Sequence, residues 1–166
     1  MARTTAPISL ASLATGVPTA LDPCQLITSQ EASGLAGGSF GAGVESTTSG
    51  GGKICTYGGQ TLNVFEVIVA QAPDLATAQA GKAAAMAAIQ QEAGQTIQWT
   101  ELPSLGDGAA YTTGSYTISG QTFNGSAIYD LKGLDFYGFS DLALGHPTPT
   151  AAALQAAAQT ILGRLP

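Results

Sequence analysis

The sequence predicts an α+β domain, an antiparallel β-sheet carrying a short N-terminal helix, an Ala-rich middle helix and a C-terminal helix packed mainly on one face. β-branched and aromatic residues are concentrated in residues 62–70 and 109–140, a composition typical of strands. Alanine-rich segments lie at residues 74–93 and 151–165. Because short turns join most of these segments, we expect neighbouring strands to pair as antiparallel hairpins with helices laid against them.

Capping signals define the three predicted helices. Thr28-Ser29-Gln30-Glu31 matches a capping box, so a short helix is expected to begin at Thr28 and to end at Gly37-Gly38. Asp74 is a natural N-cap for the long middle helix, and Gly94 is a natural stop. Thr150 caps a final amphipathic helix over Ala151–Leu165.

The strand predictions depend on β-branched and aromatic content and on turn residues. They cover Lys53–Tyr57, Leu62–Ala70 and Thr96–Glu101, followed by a meander of Ala109–Thr113, Tyr116–Ser119, Thr122–Tyr129 and Leu134–Ser140. A tight turn is expected at Gly58-Gly59-Gln60, and a mobile loop at residues 38–52, which are rich in Gly, Ser and Thr. Glu66 is the one charged residue of its strand. We expect it to face solvent or a polar partner; the alternative is a buried acid with a raised pKa that lines a pocket.

Charge and length indicate one domain that does not bind nucleic acid. Residues 1–21 are interpreted as a flexible leader or trimmed export segment, and residues 22–166 as a single domain. Charged residues make up 10% of the chain, against roughly 25% in an average soluble protein. The five Lys and Arg residues are scattered and the net charge is −6, so no basic patch can bind nucleic acid or anionic lipid. No apolar run approaches the roughly 20 residues of a membrane helix.

The two cysteines, Cys24 and Cys55, predict a disulfide-stapled protein of the cell envelope or extracellular space. Their number is even, the chain has a single His and no Cys-x-x-Cys, and the low charge suits an exported protein. The alternative is a cytosolic protein with two buried free thiols.

The sequence offers no recognisable catalytic apparatus, metal site or cofactor site. His146 lies between Gly145 and Pro147 in a predicted linker, which favours a solvated turn residue over a member of a catalytic triad. No nucleophile elbow is present. Asp130, Asp135 and Asp141 are interpreted as surface aspartates beside turns rather than as a paired-carboxylate or calcium site.

Tyrosines of the predicted meander are the candidate ligand or partner surface. A tyrosine combines an apolar ring with a polar tip, which suits a ligand groove or a protein interface. The helices are expected to contribute less, because Ala-rich faces offer little shape to a ligand. The candidates are Tyr111, Tyr116, Tyr129 and Tyr137. The expected partner is a small apolar or glycan ligand or another envelope protein.

Several landmarks occur in the order found in one bacterial family. Asp22-Pro23-Cys24, followed by Leu26-Ile27-Thr28 and Glu31-Ala32, resembles the opening of a family of uncharacterised cell-envelope lipoproteins from actinobacteria. Cys55-Thr56-Tyr57 and the turn of Leu102–Tyr111 match that family's later motifs. Extracytoplasmic sensor domains of some bacterial kinases are similar in plan. The resemblance implies export, a structural disulfide and an α+β fold, and it implies no established reaction. Leu21-Asp22-Pro23 before Cys24 is not a lipidation box.

Together these features favour a non-catalytic extracytoplasmic binding or sensor module of the cell envelope. One alternative is a structural or assembly subunit of a surface polymer or complex, which would self-associate through its leader. An enzyme that uses an unrecognised site is the other alternative.

Overall fold

A computed structural model describes residues 19–59 and 63–166. Within these residues the chain forms four helices and one seven-stranded antiparallel sheet, so the predicted α+β class is confirmed. The helices are α1 (Pro23–Leu26), α2 (Ser29–Ala36), α3 (Leu75–Ala93) and α4 (Ala151–Arg164). The strands are β1 (Val44–Thr47), β2 (Lys53–Gly58), β3 (Val64–Gln71), β4 (Thr100–Leu102), β5 (Ala109–Ile118), β6 (Gln121–Lys132) and β7 (Asp135–Leu144). Residues 1–18 of the predicted leader, which spans residues 1–21, lie outside the described residues.

The predicted helix caps are confirmed. The Thr28 hydroxyl accepts from the Glu31 N–H at 3.3 Å, and the Glu31 carboxylate accepts from the Thr28 N–H at 2.8 Å, which completes the capping box. Asp74 and Thr150 accept in the same way from the first turns of α3 and α4. Two glycines in the left-handed conformation end α2 and α3, namely Gly37 and Gly94.

The strands lie in the order β1-β2-β3-β7-β6-β5-β4. Antiparallel pairing of β3 with β7 joins the N-terminal strands to the β5–β6–β7 meander. This arrangement makes β3, β7 and β6 the central strands and leaves β1 and β4 at the edges.

Three strands differ from their predictions. β1 lies inside the segment predicted as a loop; it is an edge strand with four exposed residues, so it carries no buried alternation to detect. β5 is one strand where two were predicted, because Gly114 pairs with Gly125 of β6 instead of breaking the chain. β4 covers only the end of the predicted strand over residues 96–101. Gln60 of the predicted tight turn and Leu62 of the predicted strand lie outside the described residues.

Helices cover both faces of the sheet. α1, α2 and α4 pack on the face that carries Val67, Val69 and Phe139. α3 packs on the opposite face, against Ile68 and Phe136. The predicted packing on mainly one face therefore holds for α1, α2 and α4, whereas the long Ala-rich helix covers the other side. The central strands are consequently buried on both faces.

The predicted Cys24–Cys55 disulfide is confirmed and joins α1 to β2. The two Cα atoms are 5.2 Å apart, and the residues are separated by 31 positions. Gly43 lies against the bridge, since a Cβ there would collide with the Cys55 sulfur. Next to the bridge, the Tyr57 hydroxyl donates to the Ile27 carbonyl at 2.5 Å. A covalent bond and a buried hydrogen bond thus fix α1 on the sheet.

Three acids predicted to be exposed are buried, which corrects the sequence interpretation. Glu66 is 6% exposed because β3 is an interior strand. Its carboxylate accepts from the Thr56 hydroxyl at 3.4 Å. Glu66 therefore has the polar partner that was predicted, but it faces the interior instead of solvent. Asp130 is fully buried and accepts from the Tyr137 hydroxyl and the Leu131 N–H. Burial raises its pKa.

Asp141 is the most unusual of the buried acids. It lies on β7 between Phe65 and Ser126 of the neighbouring strands and is 4% exposed. Within the described part of the chain, neither carboxyl oxygen has a hydrogen-bond partner. Burial raises the pKa of Asp141 to about 7, because removal of the carboxyl group from water disfavours its charged form.

We expect loss of the disulfide to destabilise the fold by about 3–4 kcal/mol, since the bridge closes a loop of some 31 residues in the unfolded chain. Urea unfolding of the oxidised protein and of the Cys24→Ala/Cys55→Ala variant measures this difference. Mass spectrometry should show the untreated chain lighter than its reduced form by two hydrogen atoms. Two thiols that alkylate without reductant would contradict the bridge.

Asp141→Asn should remove a pH-dependent loss of stability. The Asp141 carboxyl loses its proton near pH 4 in the unfolded chain but near pH 7 in the fold, so the free energy of unfolding falls as the pH rises between these values. The difference in free energy of unfolding between Asp141→Asn and the native protein should be more favourable to the variant at about pH 8 than at about pH 4. We expect this change to reach up to about 4 kcal/mol. Chemical denaturation at both pH values measures the gain.

Asp135→Asn is the matched control on the same strand, because Asp135 is half-exposed and bonds the exposed Gln71 amide. An Asp141→Asn effect that is equal at both pH values would show that its carboxyl does not titrate with folding.

Candidate functional site

The four candidate tyrosines do not form one surface. Tyr111 and Tyr137 lie on the sheet face covered by α1, α2 and α4, whereas Tyr116 and Tyr129 lie on the α3 face. Tyr129 and Tyr137 are fully buried, Tyr116 is 7% exposed, and Tyr111 is half-buried. The structure therefore divides these residues between opposite sides of the sheet, and on the α3 face Tyr116 lies opposite Phe123 whereas Tyr129 lies opposite Ala110, six positions away along β5.

A groove opens on the α3 face, between α3 and the β4 edge of the sheet; we call it the α3–β4 groove. It has a volume of 650 Å³, within the range of about 300–1,000 Å³ that is usual for small-molecule sites. One wall consists of α3 residues spaced three or four apart: Gln79, Lys82, Ala83, Met86, Ala87 and Gln90. The other wall consists of Trp99, Glu101, Asp107, Gly108 and Leu131.

Small residues on α3 explain why the groove exists. The sheet-facing side of the helix buries Ala78, Ala85 and Ile89, which lets the helix axis approach the strands. The adjacent stripe exposes Ala83 and Ala87, whose methyl groups do not reach the β4 wall. The expectation that an Ala-rich face offers little shape to a ligand does not fit this geometry, because the missing side-chain volume is what forms the concavity.

The charged groups of the groove are paired with one another or with the backbone. The Lys82 ammonium donates to the Gly108 carbonyl at 2.5 Å and lies 3.6 Å from the Glu101 carboxylate. The Asp107 carboxylate accepts from the Gly133 N–H at 2.6 Å. These contacts connect α3, β4 and the 102–108 turn, and among the described residues the Asp107 carboxylate remains as the one charge of the groove that is not in an ion pair.

Trp99 is the principal aromatic residue of the groove. Its ring contacts that of Tyr129 at a centroid distance of 5.9 Å, and Tyr129 in turn contacts Phe136 at 5.6 Å. The indole is half-buried, and its Nε1–H has no hydrogen-bond partner among the described residues. Trp99 thus packs on the core while it still lines the groove.

Tyr129 requires a glycine beside it on β7. A Cβ at Gly138 would collide with the Tyr129 ring, so this glycine lets the ring lie flat on the neighbouring strand. Tyr129 can then support Trp99 from below. One of the predicted tyrosines therefore lies in the core against Trp99 and does not line the groove itself.

The turn that forms the end of the groove rests on a second predicted tyrosine. Gly106, at a positive φ of 56°, lies directly on the Asp130 carboxylate, where any Cβ would collide. Asp130 is held by the Tyr137 hydroxyl, and both burial and the adjacent Asp130 raise the pKa of Tyr137. The Leu102–Tyr111 motif is therefore explained structurally by a glycine that fits over a buried carboxyl.

Within residues 19–59 and 63–166, no three His, Cys, Asp or Glu side chains are arranged to hold a metal ion. The His146 carbonyl accepts from the Asn124 amide at 2.6 Å, and its ring lies beside Gly37, away from the groove. None of the helices in these residues has the length and apolar character needed to cross a bilayer.

Four residues of the groove were not predicted from the sequence as site residues, namely Trp99, Lys82, Gln79 and Gln90. Trp99 is the only tryptophan of the chain and was the strongest available signal, because a tryptophan beside polar strand residues is typical of binding sites. The α3 residues did not indicate a binding site by themselves, because they form one wall of the groove only together with the facing residues of the sheet edge.

Comparison with known proteins supports the fold alone. No model of a known protein family matches the chain, and no curated protein is significantly similar to it in sequence. Among solved structures, the chain is similar to the extracellular domain of PknH from Mycobacterium tuberculosis, with a TM-score of 0.52 and 12% sequence identity. The similarity covers 90% of this chain and 97% of that domain. The chain thus shares its fold with an extracellular domain.

Proposed function

We propose that the chain is a non-catalytic extracytoplasmic binding or sensor module of the cell envelope, and that its ligand occupies the α3–β4 groove. The observation that carries this proposal is the groove itself, in which a half-buried tryptophan lies opposite a polar helix stripe. Small-molecule sites combine an apolar surface with a few placed polar groups in this way.

Export is supported by three independent features. The disulfide between Cys24 and Cys55 is stable in oxidising compartments. The low charged fraction of 10% is unusual for an intracellular domain. The fold is also that of a domain named as extracellular. These features favour the cell envelope or the extracellular space for this chain.

Fixed walls favour binding over catalysis in the groove. Lys82, Glu101 and Asp107 are the ionisable side chains among its lining residues. Each is engaged in an ion pair or a backbone hydrogen bond, which suits a structural role in holding the two walls together. A ligand would therefore meet a preformed surface, and binding would cost little ordering.

Blocking the groove should abolish ligand binding without unfolding the protein. Ala83→Arg places a long side chain between the two walls, and we expect it to weaken binding about tenfold or more. Ala84→Arg is the matched control, because Ala84 is an exposed neighbour on α3 that does not line the groove. The ligands are cell-envelope lipids and glycans, titrated while the emission of the single tryptophan, Trp99, and the melting temperature are recorded.

The result distinguishes the proposal from the assembly alternative. A ligand that raises the melting temperature of the native and Ala84→Arg proteins, but not of Ala83→Arg, supports the groove. Ligand binding that is unaffected by Ala83→Arg would place the site elsewhere. Filaments or rings seen by electron microscopy, together with an absence of ligand binding, would replace the binding module with an assembly subunit.

A further inference from the structure

We infer that the ligand of the α3–β4 groove is a short neutral oligosaccharide, an inference that rests on the proposed function. The groove combines a flat aromatic surface, paired charges and amide side chains spread along one wall. Each of these features restricts the chemistry of the ligand in a different way.

The electrostatics favour a ligand without net charge. Lys82 is already engaged by Glu101 and the Gly108 carbonyl, and Asp107 by the Gly133 backbone. An anionic ligand would have to displace the contacts of Lys82 to gain its own ion pair. A cationic ligand would gain little at Glu101 or Asp107, because both side chains are exposed and ion pairs on an exposed surface are weak. An anion is further disfavoured, because two carboxylates face one ammonium in the groove and the whole chain carries a net charge of −6.

The Trp99 indole provides a surface on which a sugar ring can stack. One side of the aromatic system packs toward Tyr129 at 5.9 Å, while the half-buried ring also lines the groove. The C–H face of a pyranose is flat and weakly apolar, so it matches an indole face better than a flexible chain does.

The polar side chains of α3 match hydroxyl groups along an elongated ligand. Gln79 and Gln90 lie at opposite ends of the helix wall, with Met86 between them, and eleven residues of helix span about 16 Å. Each amide offers both donors and acceptors, as does each sugar hydroxyl. Five of the eleven lining residues carry polar side chains, which would leave an acyl chain without the continuous apolar lining it needs.

The test uses trisaccharides that differ in charge. Maltotriose and tri-N-acetylchitotriose are neutral, trigalacturonate is anionic and the trimer of glucosamine is cationic; lysophosphatidylcholine represents an acyl-chain ligand. We expect both neutral trimers to shift Trp99 emission saturably and the charged trimers to bind several-fold more weakly. The affinity of the neutral trimers should change less than about twofold between low salt and about 0.5 M salt.

Glutamine variants, measured by calorimetry, test the contacts directly. Gln79→Ala and Gln90→Ala should each weaken binding of the neutral trimers about three- to tenfold, as expected for loss of one or two hydrogen bonds. Gln91→Ala is the matched control, since Gln91 is exposed on α3 but does not line the groove. It should leave the affinity unchanged.

The outcomes separate this inference from the proposed function. Two results, each without binding of either neutral trimer up to about 10 mM, keep the groove but overturn the neutral oligosaccharide. Binding of lysophosphatidylcholine that is lost in Ala83→Arg would indicate an acyl-chain ligand, and binding of a charged trimer that is lost in Ala83→Arg would indicate a charged sugar. Binding of neutral trimers that Ala83→Arg does not weaken overturns the groove as the site. The absence of any binding by the neutral trimers overturns the inference.

Discussion

Burial of the central strands on both faces is the constraint on which the structure depends. α3 covers one face of β3, β7 and β6, while α1, α2 and α4 cover the other. From Gly125 to Leu131, β6 is buried without interruption. A charge on such a strand must be paired or neutral, which explains why Asp130 accepts from Tyr137 and why the pKa of Asp141 is raised to about 7.

The first helix, α1, is held in place by bonds to its neighbours rather than by its own stability. α1 has four residues, too few to persist alone in water. It is fixed by the Cys24–Cys55 bridge, by the Tyr57 hydroxyl and by Arg164 of α4, which donates to the Leu26 carbonyl at 2.8 Å. Arg164 also pairs with the capping-box residue Glu31 at 2.7 Å and lowers the pKa of Glu31 to about 2. One guanidinium therefore connects the ends of three helices.

Local signals in the sequence predicted the local structure well. The capping box at Thr28, the cap at Asp74 and the glycine at Gly94 set helix boundaries through contacts within a few residues, so no tertiary knowledge was needed. The alternation of side chains along β3 separates its two faces, but it does not show that helices cover both of them. The burial of Glu66 depends on the position of β3 between β2 and β7. The groove was beyond prediction for the same reason, since its walls come from residues 79–90 and 99–108 and meet only when the sheet has formed.

The groove follows from how the sheet ends. β4 has only three residues and pairs with β5 from Thr100 to Leu102, so the edge of the sheet beside the groove is short. The small residues that bring α3 close to the strands also leave space beside Ala83 and Ala87. Trp99 fills part of this space, supported by Tyr129, and the contact of Gly106 with Asp130 fixes the turn at its end. Because buried core residues hold both Trp99 and that turn, the groove is preformed, and a rigid ligand with a flat face loses the least entropy on entering it.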